Sequence, residues 1–162
     1  MKPNKIKICG ITDLSIANFC IDNNADYLGF VSYEHSPRNI SLHDSKDIIS
    51  NLSKPIDTVA VTVNANINDI KEIEDSGFKY IQLHGSEDLN YLSTIKKNTQ
   101  LKIIKAFGIS TQADFNNIND YSDLCDYFLL DAKPEETEMP GGNAKKFDWS
   151  LLGGQNLKKE FF

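Results

Sequence analysis

The chain has 162 residues, 40% of them hydrophobic, 25% charged and 10% aromatic, with 17 Lys plus Arg against 23 Asp plus Glu and a net charge of -6. That is enough for one compact domain with a real core, and an acidic chain without a basic block is not built for nucleic acid or an anionic membrane surface. No run approaches the ~18 apolar residues of a membrane helix, no apolar run follows the N-terminal lysines as in a signal peptide, and three widely spaced cysteines (Cys9, Cys20, Cys125) point to reduced thiols in a cytoplasmic protein.

The elements follow in chain order. "KIKIC" from Lys5 reads as a strand, and Asp13 precedes a helical stretch in which Leu14, Ala17 and Ile21 share a face. "YLGFVSY" from Tyr27 is a second strand. After it, Ser41 and Asp44 form a capping box ahead of Ile48, Ile49 and Leu52. "DTVAVTV" from Asp57 is a third strand, and the stripe Ile67, Ile70, Ile73 is a helix closed by Gly77. "KYIQL" from Lys79 is a fourth, and Ser86 opens a helix carrying Leu89, Leu92 and Ile95. "LKIIKAF" from Leu101 is a fifth, followed by a capping box of Thr111 and Asp114 before Phe115 and Ile118. "DYFLLD" from Asp126 is a sixth. Then come a Gly-rich loop around Gly141 and Gly142, a short helical stretch at "FDWSLL", and Gly153 and Gly154 as a helix-interrupting loop.

The strand starts are separated by steps of 22, 30, 22, 22 and 25 residues, a βα rhythm. Near-continuous apolar strands suit a parallel sheet covered on both faces. The rhythm fits either an open doubly wound sheet or a closed (β/α)₈ barrel. Eight units at this spacing would need roughly 200 residues, the lower end of the barrel range. By position and composition, Phe161 and Phe162 read as the opening of a seventh strand.

In a parallel βα array, functional side chains collect at the C-terminal strand ends. Those ends carry Cys9 on the first strand, Asn64 on the third, His84 on the fourth and Asp131 on the sixth, with Arg38 in the loop after the second. Each also has a plain structural reading: a small buried thiol, a turn cap, a solvated loop cation, a turn imidazole. His35 and His43 read as surface residues, and Cys20 and Cys125 as core or near-core thiols. Thiol, carboxyl, guanidinium and imidazole on one rim suggest acid-base work on a small anion. A thiolate takes a proton, a desolvated carboxylic acid gives one, and Arg38 grips a carboxylate or phosphate. The sequence holds no metal cluster, dinucleotide fingerprint or P-loop, so a cofactor-free isomerase or lyase fits better than an oxidoreductase or kinase.

The segments "KICGIT", "LGFVSYEHSPRNIS", "VAVTVN", "IQLHG", "IIKAF", "FLLDAK" and "GGNAKKFDWSLL" stand in the order and spacing of the phosphoribosylanthranilate isomerase family. The chain resembles that family over essentially its whole length. The resemblance implies a TIM-barrel type α/β domain over residues 1–162, with about six of the eight βα units and without strands seven and eight. It implies an Amadori rearrangement in tryptophan biosynthesis, with Asp131 as general acid, Cys9 as general base, Arg38 holding the anthranilate carboxylate and His84 lining the pocket. No cofactor or metal is implied, and the partner is a small phosphosugar. Two departures stand out. Asn143 and Ala144 follow the paired glycines where the family has Ser or Thr and another Gly, and the family's phosphate-holding loops after strands seven and eight are not present. Open sheet edges would then favour self-association, and an inactive relic needing a partner to complete the barrel is the alternative. An epimerase or indole-glycerol-phosphate synthase is a further reading, but the first needs metal-binding His and Asp residues, and Lys105 alone does not supply the second's strand-end lysines and glutamates.

Overall fold

The structure is a computed structural model that describes residues 4–133 and 146–162. The Gly-rich stretch with Gly141, Gly142, Asn143 and Ala144 lies outside the described residues. Six strands form one sheet: β1 Lys7–Cys9, β2 Tyr27–Val31, β3 Asp57–Thr62, β4 Tyr80–Leu83, β5 Lys102–Ile109 and β6 Tyr127–Ala132. Each pairs in parallel with the next, in the order β1-β2-β3-β4-β5-β6. A doubly wound sheet reverses its strand order at a switch point. This one never reverses, which is the winding of a (β/α) barrel and resolves the choice that periodicity left open. Among the described residues, no helix is long and apolar enough to cross a membrane.

Four helices return the chain between strands: α1 Leu14–Asp22, α2 Leu42–Ser50, α3 Ile67–Asp75 and α4 Leu89–Asn98. Their starts are chemically marked. Asp13 accepts from the amides of Ser15 and Ile16, Ser41 from that of Asp44, and Asn66 pairs reciprocally with Asp69. Gly77, at φ +90°, follows α3 in the left-handed conformation that only glycine adopts without cost.

Two expected helices differ. α4 is capped by Asp88, which accepts from the Tyr91 amide at 2.8 Å, and not by Ser86. The Ser86 amide is instead tied to Asn64 Oδ1 at 2.9 Å, outside the helix. Between β5 and β6, Gln112–Phe115 and Ile118–Tyr121 are two short 3₁₀ turns in place of a helix. Asp114 does gather the amides of Ser110 and Thr111. The Asn- and Asp-rich run from Asn116 to Asp120, however, competes with the helical backbone and breaks it. A third 3₁₀ turn, Trp149–Leu152, ends at Gly153.

The sheet is buried on both faces, and the alternation of side chains sorts them into two layers. Leu28, Phe30, Ala60, Ile81, Leu83, Ile103 and Phe128 face the helices, where Ala17, Ile48, Ile70, Ile73, Leu92 and Ile95 meet them. Tyr27, Val31, Val59, Val61, Tyr80 and Ile104 form the inner layer with Cys9, Tyr127, Leu129 and Phe162.

Phe161 bridges Phe128 in parallel, with the Phe162 amide donating to the Phe128 carbonyl at 3.0 Å and the Leu130 amide to the Phe162 carbonyl at 3.0 Å. The expected opening of a seventh strand is therefore seen as a parallel bridge on β6. The Phe162 ring meets Tyr27 edge-on at 5.3 Å and Tyr127 at 5.6 Å, so the sheet curls far enough for its last residue to touch its second strand. At the other edge, among the described residues, β1 has one strand neighbour, β2, and Ile6 and Ile8 are exposed there.

With two aromatic contacts at stake, Phe162→Ala is expected to lower the unfolding free energy by about 1–3 kcal/mol. Urea denaturation reads this as a lower midpoint at unchanged slope. An unchanged midpoint would remove Phe162 from the inner layer.

Candidate active site

A cavity of about 490 Å³ opens over the inner layer, and Cys9, Arg38, His84 and Asp131 all line it. Lys7 and Gln82 line it too. Alternation explains the set. Lys7 and Cys9 lie two apart on β1, and His84 follows Gln82 by two at the end of β4. Asp131 stands two beyond Leu129 of the inner layer.

Cys9 is half-buried. Beside it, the missing side chain of Gly29 leaves the space that both neighbours occupy. A Cβ there would come within 3.0 Å of Cys9 Sγ and 3.2 Å of Lys7 Nζ. The Lys7 ammonium is thus placed to offset negative charge arising on that sulfur. Arg38 is exposed and reaches back from the loop after β2. Its Nη1 donates to the Cys9 carbonyl at 2.9 Å. That reach depends on Gly10, which has φ +90° and whose Cβ, if present, would lie 2.5 Å from Arg38 Cδ.

Asp131 and His84 face each other with Oδ2 and Nε2 3.5 Å apart. The Ala132 amide donates to Asp131 Oδ1 at 2.8 Å. On the far side of the imidazole, Gln82 Nε2 lies 2.7 Å from Nδ1. Nδ1 is thus hydrogen-bonded to the Gln82 side-chain amide, which holds the ring with Nε2 toward Asp131. The hydrogen bond from His84 holds the Asp131 carboxyl below its ordinary value; burial pushes the other way, and the attraction of His84 and the Ala132 amide help keep it down. With His84 adjacent, the ionised form of Asp131 is favoured in the open cavity.

The other sulfurs and imidazoles lie elsewhere. Cys125 is buried and its thiol is pushed up to about 12 by burial, which makes it a core hydrophobe. Cys20 packs at the edge of the outer core. His35 is exposed beside Glu34, and His43 is exposed on α2. Asn64, at φ 47°, serves the turn after β4 by accepting from Ser86. Among the described residues, no three His, Cys, Asp or Glu side chains gather as a metal site.

A parallel βα sheet wound in strand order, with acid-base and cationic groups over its inner layer at the C-terminal strand ends, defines a barrel-type enzyme site. A family profile for N-(5'phosphoribosyl)anthranilate (PRA) isomerase matches residues 6–162. The chain is 40% identical over 158 residues to the N-(5'-phosphoribosyl)anthranilate isomerase of Petrotoga mobilis, covering 97% of this chain and 73% of that one. The crystal structure of the isomerase from Thermotoga maritima superposes with a TM-score of 0.81 at 35% identity, over 93% of this chain and 70% of that one. A crystal structure of a phosphoribosyl anthranilate isomerase in complex with reduced 1-(o-carboxyphenylamino)-1-deoxyribulose 5-phosphate gives 0.78 at 32% identity, over 93% and 69%. The chain belongs to the phosphoribosylanthranilate isomerase family, the isomerases of this step in tryptophan biosynthesis.

Because Gly10 is both left-handed and pressed against Arg38, Gly10→Ala is expected to cost about 1–2 kcal/mol of stability from backbone strain alone. Arg38→Lys, at an exposed position, should stay within about 0.5 kcal/mol of the parent. Equal midpoints for the Gly10→Ala variant and the parent in urea would contradict the reading of Gly10.

Proposed function

We propose that this chain itself catalyses the family's reaction, the Amadori rearrangement of N-(5'-phosphoribosyl)anthranilate to 1-(o-carboxyphenylamino)-1-deoxyribulose 5-phosphate. The observation that carries the reading is the convergence of Cys9, Asp131, His84 and Arg38 on one cavity. The substrate is a phosphosugar bearing an aromatic carboxylate. Arg38 offers the planar fork for that carboxylate.

In the reaction, Asp131 gives a proton to the furanose ring oxygen. The C1–O bond breaks as the nitrogen lone pair forms the iminium. Cys9, as thiolate, removes the proton from C2, and the electron pair moves into the iminium to leave an enolamine. Proton gain at C1 and loss from the C2 hydroxyl then give the ketone. No electrons enter or leave, so the chemistry calls only for an acid, a base and positioning.

The ionised Asp131 of the open site must first acquire a proton. Bound substrate supplies the cause: it excludes water and brings anionic groups near the carboxyl, and both effects favour the protonated form. Lys7 lines the cavity with Cys9, and Gln82 holds the His84 ring, so the two halves of the proton transfer have separate support.

Turnover of freshly generated substrate, followed as loss of anthranilate-type fluorescence, tests the reading. Cys9→Ala and Asp131→Asn are each expected to lower kcat by at least 10²-fold, the usual contribution of a positioned acid or base, with the fold unchanged by circular dichroism. A folded parent chain without turnover, or a Cys9→Ala chain that retains it, would overturn the proposal.

A further inference from the structure

Behind the sheet, on the side facing the helices, sits a buried ion pair that the reaction above does not use. Lys105 and Glu87 are 3.0 Å apart, with side chains 4% and 1% exposed. Every neighbouring outward position on β4 and β5 is apolar: Ile81 and Leu83 on one strand, Ile103 and Phe107 on the other. Burying two charges in such a layer is costly, and a pair of this kind commonly adds little to stability over apolar residues of the same volume.

Its contacts say what it holds. The Lys105 ammonium has three protons and three acceptors: the Leu83 carbonyl at 3.4 Å, the Gly85 carbonyl at 2.8 Å and Glu87 Oε2 at 3.0 Å. Leu83 and Gly85 are the residues on either side of His84. Glu87 closes the same turn from beyond, accepting from the Gly85 amide at 3.0 Å and the Asn64 amide at 2.9 Å. The His84 amide itself donates to the Thr62 carbonyl at 2.9 Å. Asn64 then accepts from Ser86 through Oδ1, an atom that a Cβ on Gly85 would strike. Of the four consecutive residues 83 to 86, Leu83 and Gly85 are thus held by main-chain atoms to a charged pair that does not line the cavity, while His84 and Ser86 are held to Thr62 and Asn64.

We propose that Lys105, with Glu87 as its counter-charge, is a positioning residue: it clamps the carbonyls flanking His84 and so holds the imidazole against Asp131. The proposal rests on the placement of His84 and Asp131 in the site, but its test reads their contact directly and does not depend on turnover.

The experiment is NMR of the whole chain with ¹³C in the aspartate carboxyls, following the titration of Asp131 in four proteins. These are the parent, His84→Gln, the double variant Glu87→Gln with Lys105→Met, and Lys105→Met alone. The double variant keeps an acceptor for the Asn64 and Gly85 amides and the length of the lysine stem, while it removes both charges. Lys5, Lys7, Cys9, Tyr33 and Arg38 line the same cavity as Asp131 and are unchanged throughout, so differences report on His84.

His84→Gln sets the midpoint without the imidazole. The double variant is expected to move the Asp131 midpoint upward by at least half of that shift, with far-UV circular dichroism unchanged. If the double variant does not fold, Lys105→Met alone, which removes the clamp on both carbonyls and leaves Glu87 free to take up a proton, carries the same expectation. An unmoved midpoint in a folded variant overturns the proposal. Failure of both variants to fold, with His84→Gln folding normally, also overturns it, because the pair would then serve stability alone. A fall in turnover with an unmoved midpoint would set this inference aside without touching the proposed function. An unmoved midpoint in His84→Gln would count against the His84–Asp131 contact itself.

Discussion

The constraint on which the rest depends is the parallel register of six strands wound in chain order. Side chains alternate along a strand, and neighbouring strands in register present the same face. Cys9 pairs with Gly29 across β1 and β2, and Asp131 pairs with Gly108 across β5 and β6. Each reactive side chain therefore stands beside a residue with no side chain. A slip of one residue would turn Cys9 and Asp131 toward the helix-facing layer and Ile8 toward the cavity. The inner aromatics below, Tyr27, Tyr80, Tyr127 and Phe162, fill the space beneath the cavity and make that register costly to lose.

The two faces of the sheet divide the work. The inner face carries the groups proposed to meet substrate, and they line an open cavity. Asp131 is held low by an imidazole at hydrogen-bonding range, a bias that a bound anion can reverse. Among the described residues, the fully buried charges are Lys105 and Glu87 on the outer side, and they engage main-chain atoms. Glycines mediate between the two faces: Gly29 makes room for Cys9 and Lys7, Gly10 for Arg38, and Gly85 for Asn64.

Much of this was legible in the sequence. Strand positions followed from apolar runs, because a sheet covered on both faces leaves them nearly uninterrupted. Helix starts at Asp13 and Ser41 followed from capping chemistry, which is local. Ser86 misled because its amide was already taken by Asn64, twenty-two residues earlier, a contact that only the fold creates. The Thr111 capping box also exists, yet no helix follows, since the asparagines after it outweigh a good start. Cys9, Arg38, His84 and Asp131 could be gathered on one rim because strand ends in a parallel array share a rim. Lys7 and Gln82 carried the same signal, two residues before Cys9 and His84, and went unread because a lysine and a glutamine on a strand have many plain explanations. The direction of the Asp131 shift was beyond sequence: it depends on a 3.5 Å approach between β4 and β6, which are not adjacent in the sheet.

In the proposed reaction, one inner-face cavity at the strand ends receives the phosphosugar with its carboxylate on Arg38 and its sugar between Cys9 and Asp131. The most direct measurement is a crystal structure of this chain with reduced 1-(o-carboxyphenylamino)-1-deoxyribulose 5-phosphate. The aromatic carboxylate is expected within hydrogen-bonding distance of Arg38, and the sugar carbons flanked by Cys9 Sγ on one side and Asp131 on the other. Ligand bound away from the Cys9–Asp131 cavity, or seated in it with its carboxylate far from Arg38, would contradict the account.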